Sequence, residues 1–122
     1  VKLFSLQKND GAEQLHSNFE EIKVINFGAD LDKEAAFLDT AVLMTKLDLI
    51  ITVDTSIAHL AGSMGCKVWV LLQFIPDWRW MSDKKITPWY PSMKLFRQSK
   101  LNDWNEPFKQ IEKEINSFIN SN

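Results

Sequence analysis

Leu47-Asp48-Leu49-Ile50-Ile51-Thr52-Val53-Asp54-Thr55-Ser56-Ile57-Ala58-His59-Leu60-Ala61-Gly62 reads as a buried strand that stops on an aspartate and turns at once into a helix. Residues 49–53 are a short apolar, β-branched run, suited to a parallel strand covered on both faces. Thr55 and Ser56 are N-cap types, and Ala58, Ala61 and Gly62 let a helix lie close on a sheet. Such a turn puts backbone N–H groups and a helix N-terminus at the carboxyl end of a strand. Open α/β sheets take anionic ligands there, phosphates above all.

The pattern alternates on either side of this stretch. Residues 2–6 and 23–27 read as strands, the second closed by Gly28. A short helix is expected over 12–19. A longer one is expected over 33–46, capped by Asp32, with Ala36, Phe37, Ala41, Val42 and Met44 facing inward. After the helix at 56–64, Gly65 is a natural C′ residue, and 67–72 is a nearly all-apolar strand. Residues 73–92 form a loop rich in Pro and Trp, and 94–97 a last short strand. Asn105 and Pro107 open a terminal helix over 105–122, with Phe108, Ile111, Ile115, Phe118 and Ile119 at helical spacing. The β-α-β-α-β order implies an α/β, Rossmann-like parallel sheet with helices on both faces, within a single domain spanning 1–122.

Composition excludes several classes. With 122 residues the chain fits one domain, small for a complete two-substrate enzyme. A net charge of −2 offers no electrostatic case for nucleic acid or an anionic membrane. No apolar run is long enough to span a bilayer. The single cysteine, Cys66, cannot form an internal disulfide and fits a reducing cytoplasm. Of five tryptophans, four fall between Trp69 and Trp89, which singles out that region.

Together these residues resemble a known family. Asp54-Thr55-Ser56-Ile57-Ala58-His59-Leu60-Ala61-Gly62, then Gly65 and the strand at 68–72, is similar to the D-T-(G/S)-x-x-H-L-A signature of heptosyltransferase-like (glycosyltransferase family 9-like) enzymes. The extended match resembles a bacterial subgroup often attached to tetratricopeptide repeats. It includes Ser5-Leu6-Gln7-Lys8, Phe37-Leu38-Asp39-Thr40-Ala41, Pro76-Asp77-Trp78-Arg79-Trp80, Trp89-Tyr90-Pro91-Ser92 and Leu95-Phe96-Arg97-Gln98. The resemblance implies one half of a GT-B fold, the carboxyl-terminal domain that holds a nucleotide-diphosphate sugar. It also implies a partner that this stretch lacks, an N-terminal acceptor domain or an upstream repeat domain. The expectation is therefore a donor-binding piece of a larger glycosyltransferase, inactive alone.

The residue types suit that chemistry. Thr55 and Ser56 can offer hydroxyls and N–H groups to a pyrophosphate at the positive end of a helix dipole, or can simply cap the helix. Donors fixed there would favour a leaving diphosphate as charge builds on it, with no metal or cofactor expected. Lys8 follows the first strand and, by resemblance, matches a lysine that contacts phosphate. Asp54 would repel a pyrophosphate, so it is expected to accept from backbone N–H groups or from a ribose or sugar hydroxyl, or to serve only the turn. His59, four residues past Thr55, can face the same ligand or be half-buried against backbone.

Asp77, Trp78 and Arg79 form a possible donor loop: Trp78 to stack, Arg79 to reach a phosphate. Trp80 and Trp89 are expected instead to pin the loop as a small core. A phosphoacceptor reading of Asp54 lacks an acidic pair after the first strand, and no G-x-G-x-x-G or Cys/His cluster occurs. The competing reading is a non-catalytic nucleotide-binding or protein-interaction module that keeps the donor-domain fold.

Overall fold

The computed structural model describes residues 1–8, 10–16, 23–81 and 85–121. The fold is α/β with parallel sheets, and packing divides it into two compact units, Val1–Leu43 and Met44–Asn122. The strands expected in one sheet fall into two, β1–β2 and β3–β4–β5.

In the first unit, β1 (Leu3–Ser5) pairs in parallel with β2 (Val24–Asn26), Phe4 opposite Ile25. The Phe4 and Phe27 rings stack at 6.1 Å. Gly28, at φ 60°, ends β2 in a conformation that favours glycine. The expected helix at 12–19 is a 3₁₀ turn over Ala12–His16, and 17–19 lie outside the described residues.

The helix expected from residue 33 begins later, as α1 (Leu38–Met44). Phe37, inside the expected span, takes a left-handed φ of 62°, which a continuous right-handed helix forbids, and Asp32 before it takes 59°. Asp32 still acts as a cap, across the intervening loop. Its Oδ1 accepts from the Thr40 amide at 2.8 Å and its Oδ2 from the Thr40 hydroxyl at 2.6 Å. Asp39 reciprocates by accepting from the Asp32 amide at 2.8 Å. Thr40 and Met44, one turn apart, are the buried positions of α1, whereas Phe37 and Val42 are exposed.

The second unit is built on β4 (Val68–Leu72), which lies between β3 (Ile50–Val53) and β5 (Met93–Arg97), all parallel. All five β4 residues are buried, which explains the unbroken apolar run. Val68 is opposite Met93, and Val70 opposite Leu95. Their face carries α2 (Ser56–Ser63), because a Cβ on Gly62 would lie 2.9 Å from Met93 Cε. Trp69, Leu71 and Phe96 point to the other face and pack with Ile111, Ile115 and Phe118 of α3 (Asn105–Ser121). Lys94, on that same face, pairs with Glu114 of α3 at 2.6 Å. Helices therefore cover both faces of this sheet.

The end of α2 follows its sequence. Gly65 takes φ 71°, its amide donates to Gly62 O, and the Cys66 amide donates to Ala61 O, closing a Schellman motif. Phe108 departs from expectation and is exposed. At 100° per residue, Trp104, Pro107, Ile111, Ile115 and Phe118 form the inward stripe, and Phe108 and Ile119 lie at its margin. Among the described residues, no helix is long and apolar enough to cross a membrane.

Candidate functional site

The site grows from the turn after β3. Val53 ends the strand, Asp54 is exposed, and Thr55 is the extended N-cap of α2 at φ −141°, ψ 173°. The Thr55 hydroxyl does not cap the helix. It leans back toward Val53 O at 3.5 Å, and the Ala58 amide donates to Thr55 O at 3.0 Å. No hydrogen bond from the Thr55 side chain caps α2, and Thr55 and Ser56 at its start are exposed. The capping role open in the sequence is thus not what Thr55 performs.

His59 sits one turn further along α2. Its Nδ1 is 3.1 Å from the Tyr90 hydroxyl and its Nε2 is 4.0 Å from Asp54 Oδ1. Its ring stacks on Trp80 at 5.0 Å. Trp80 is fully buried and holds the loop from beneath, with its carbonyl accepting from Arg97 Nη2. Tyr90 can approach because Gly62 carries no side chain: a Cβ there would lie 2.7 Å from Tyr90 Cγ.

The loop at 73–92 has its own framework. Asp77 Oδ1 accepts from the Arg79 amide at 3.0 Å and from Arg79 Nη1 at 2.8 Å, opening a 3₁₀ turn over Trp78–Trp80. Those two bonds, the amide's first, hold the Asp77 carboxyl below its ordinary value. The Arg79 guanidinium lies over the Trp78 ring at 4.8 Å. Trp89 Nε1 donates to Arg79 O at 3.1 Å, which fixes the indole edge while 59% of the residue stays exposed. His59, Trp78, Arg79, Trp89 and Tyr90 together line an open cleft of about 340 Å³.

The structure thus joins Asp54 and His59 to Trp78 and Arg79, and through Arg79 to Asp77, the residues expected to form a donor loop, with Thr55 and Ser56 opening the same helix. Lys8 belongs to the first unit and is committed there. Its Nζ donates to Leu31 O at 2.9 Å and to the Asp32 carboxylate. Burial alone pushes the Asp32 carboxyl up, but the bonds from Lys8 and from the Thr40 hydroxyl and amide outweigh it and hold the group well below the usual carboxylate range. Trp89 was expected in a small core, yet it lines the cleft; Trp80 alone plays the core part. Tyr90 belongs to the aromatic loop that the sequence offers as a stacking face, but the sequence assigns it no individual role. Its place in Trp89-Tyr90-Pro91-Ser92 was the available signal. Among the described residues, no group of three His, Cys, Asp or Glu side chains is arranged to hold a metal ion. The chain matches no protein-family model, no curated protein and no solved structure.

Proposed function

We propose that the Met44–Asn122 unit is the donor-binding part of a glycosyltransferase that takes a sugar from a nucleotide-diphosphate sugar. One observation carries this reading: the aromatic cleft and the uncapped start of α2 share His59. A single ligand can then place a diphosphate on the N–H groups and hydroxyls of Thr55 and Ser56 and a ring against Trp89. The reading requires no metal, because the helix N-terminus and the neighbouring side chains supply the donors. Transfer needs an acceptor-bearing partner domain, so the 122-residue chain alone binds donor and does not turn it over.

NMR titration with ADP and UDP, against AMP and UMP, tests the proposal. The diphosphates should bind more tightly and shift the amides of 54–59, 78–79 and 89–90. The second phosphate adds charge-assisted hydrogen bonds worth about 1.5–3 kcal/mol each before desolvation and entropy costs. Equal shifts with mono- and diphosphate, or shifts elsewhere, count against it. A non-catalytic binding module is the second reading, favoured by the pairing of Arg79 with the Asp77 carboxylate. It predicts ring-dependent binding in the cleft with no gain from the second phosphate.

A further inference from the structure

The His59 imidazole is held on three sides: Nδ1 by the Tyr90 hydroxyl at 3.1 Å, one face by Trp80, and Nε2 facing Asp54 Oδ1 at 4.0 Å. A neutral imidazole carries one N–H, so only two arrangements exist. With the proton on Nδ1, Tyr90 must accept and the Nε2 lone pair faces the Asp54 carboxylate, an unfavourable meeting of two acceptors. With the proton on Nε2, Tyr90 donates to Nδ1 and an N–H faces the carboxylate. The second arrangement satisfies both neighbours. Tyr90 is itself fixed, packed on Gly62 and with its carbonyl accepting from the Met93 amide at 3.0 Å.

The separation of Nε2 and Asp54 Oδ1 is too long for a direct hydrogen bond. It matches the span of one oxygen that accepts from the N–H and donates to the carboxylate. A hydroxyl does both. A phosphate oxygen can only accept, and beside Asp54 it would be repelled.

We propose that Tyr90 is a positioning residue that holds His59 as the Nε2–H tautomer, and that His59 and Asp54 together read a sugar or ribose hydroxyl. The assignment of that hydroxyl to a donor sugar nucleotide rests on the function proposed above; the tautomer does not.

Ring ¹⁵N shifts of His59, recorded without ligand at a pH where imidazole is neutral, test the first part. The wild-type chain should show Nε2 protonated and Nδ1 as a hydrogen-bonded acceptor. In Tyr90→Phe the Nδ1 acceptor shift should vanish and the Nδ1–H share should rise severalfold. A protonated Nδ1 in the wild type, or an unchanged pattern in Tyr90→Phe, overturns the proposal. Titration with UDP-glucose, ADP-glucose and inorganic pyrophosphate tests the second part. Tyr90→Phe should weaken the nucleotide sugars about two- to tenfold, the range of one net hydrogen bond, and leave pyrophosphate unchanged. His59 ring signals that respond equally to pyrophosphate mark a phosphate contact and overturn the hydroxyl reading. If none of the three probes shifts residues 54–59, the donor reading fails, and the hydroxyl assignment fails with it; the ligand-free spectra still decide the role of Tyr90.

Discussion

The two units of this chain are held together by different physics. Every buried apolar side chain of the described residues lies in Met44–Asn122, from Met44 through β4 to Ile111. In Val1–Leu43, Thr40 is the only buried residue among those described, and its partners are polar. There a carboxylate, Asp32, gathers Lys8, Thr40 and the start of α1 around itself. One unit therefore rests on area removed from water, which is indifferent to pH. The other leans on a charged cluster, which is not. The candidate site is built on the first kind of support: His59 and Tyr90 stand on Trp80, Gly62 and a covered sheet.

The largest effect should come from the apolar core. Trp69→Ala removes the indole packed against Phe96 and Phe118 and should cost about 3–5 kcal/mol in denaturant unfolding. Amide exchange should rise through β3, β4 and β5. A loss under 1 kcal/mol would mean that the sheet is not held by this cluster.

Gly62→Ala comes next. The added methyl meets Tyr90 and Met93 inside 3 Å, so overpacking should cost about 1–3 kcal/mol. The Nδ1 acceptor shift of His59 should weaken with it as Tyr90 is pushed away.

Asp32→Asn should loosen the first unit and spare the second. Amide exchange at Thr40 should rise at neutral pH while β4 stays protected. Acid should mimic the substitution. The folded-state pKa of Asp32 is depressed, so its stabilisation is complete above the ordinary value of 3.8 and is lost as pH falls through it toward the lower folded value. Thr40 exchange in the wild type should approach that of Asp32→Asn over this window. A difference that persists in strong acid breaks the contrast between the units.

The smallest effect on stability should be that of Trp89→Ala, within about 0.5 kcal/mol for so exposed a side chain. Its effect on ligand should be large by comparison. Stacking of a base on an aromatic side chain is worth about 1–3 kcal/mol, so ring-bearing nucleotides should weaken while inorganic pyrophosphate does not. Unchanged nucleotide affinity would remove Trp89 from the site.

Much of the site was legible one residue at a time. A strand ending on Asp54, a helix opening at Ser56 and a Gly65 C′ are local events, set by β-branching, backbone N–H groups and left-handed φ. Of the inner residues of α1, Met44 was legible and Thr40 was not, and Phe37 and Val42, read as inward, are exposed. The periodic pattern runs on through residues 33–37, and the left-handed turn at Phe37 keeps the helix from starting before Leu38. Trp80 and Trp89 read alike in sequence as pins of the loop, yet one is fully buried and the other 59% exposed. Which of the two meets the core depends on how the loop folds back, which no local pattern sets.

What the sequence determined by itself is the order of elements, the parallel sense of the strands and the strand-to-helix turn at Asp54, because each follows from composition and spacing within one crossover. Tertiary structure alone decided that Lys8 belongs to Asp32, that Phe108 stays exposed while Pro107 is buried, and that Tyr90 reaches His59 across 31 positions of chain. The physical reason is that partnership depends on which side chains arrive at one place with room to meet. Here that room is the absent Cβ of Gly62, and its value could be seen only once the loop lay against the helix.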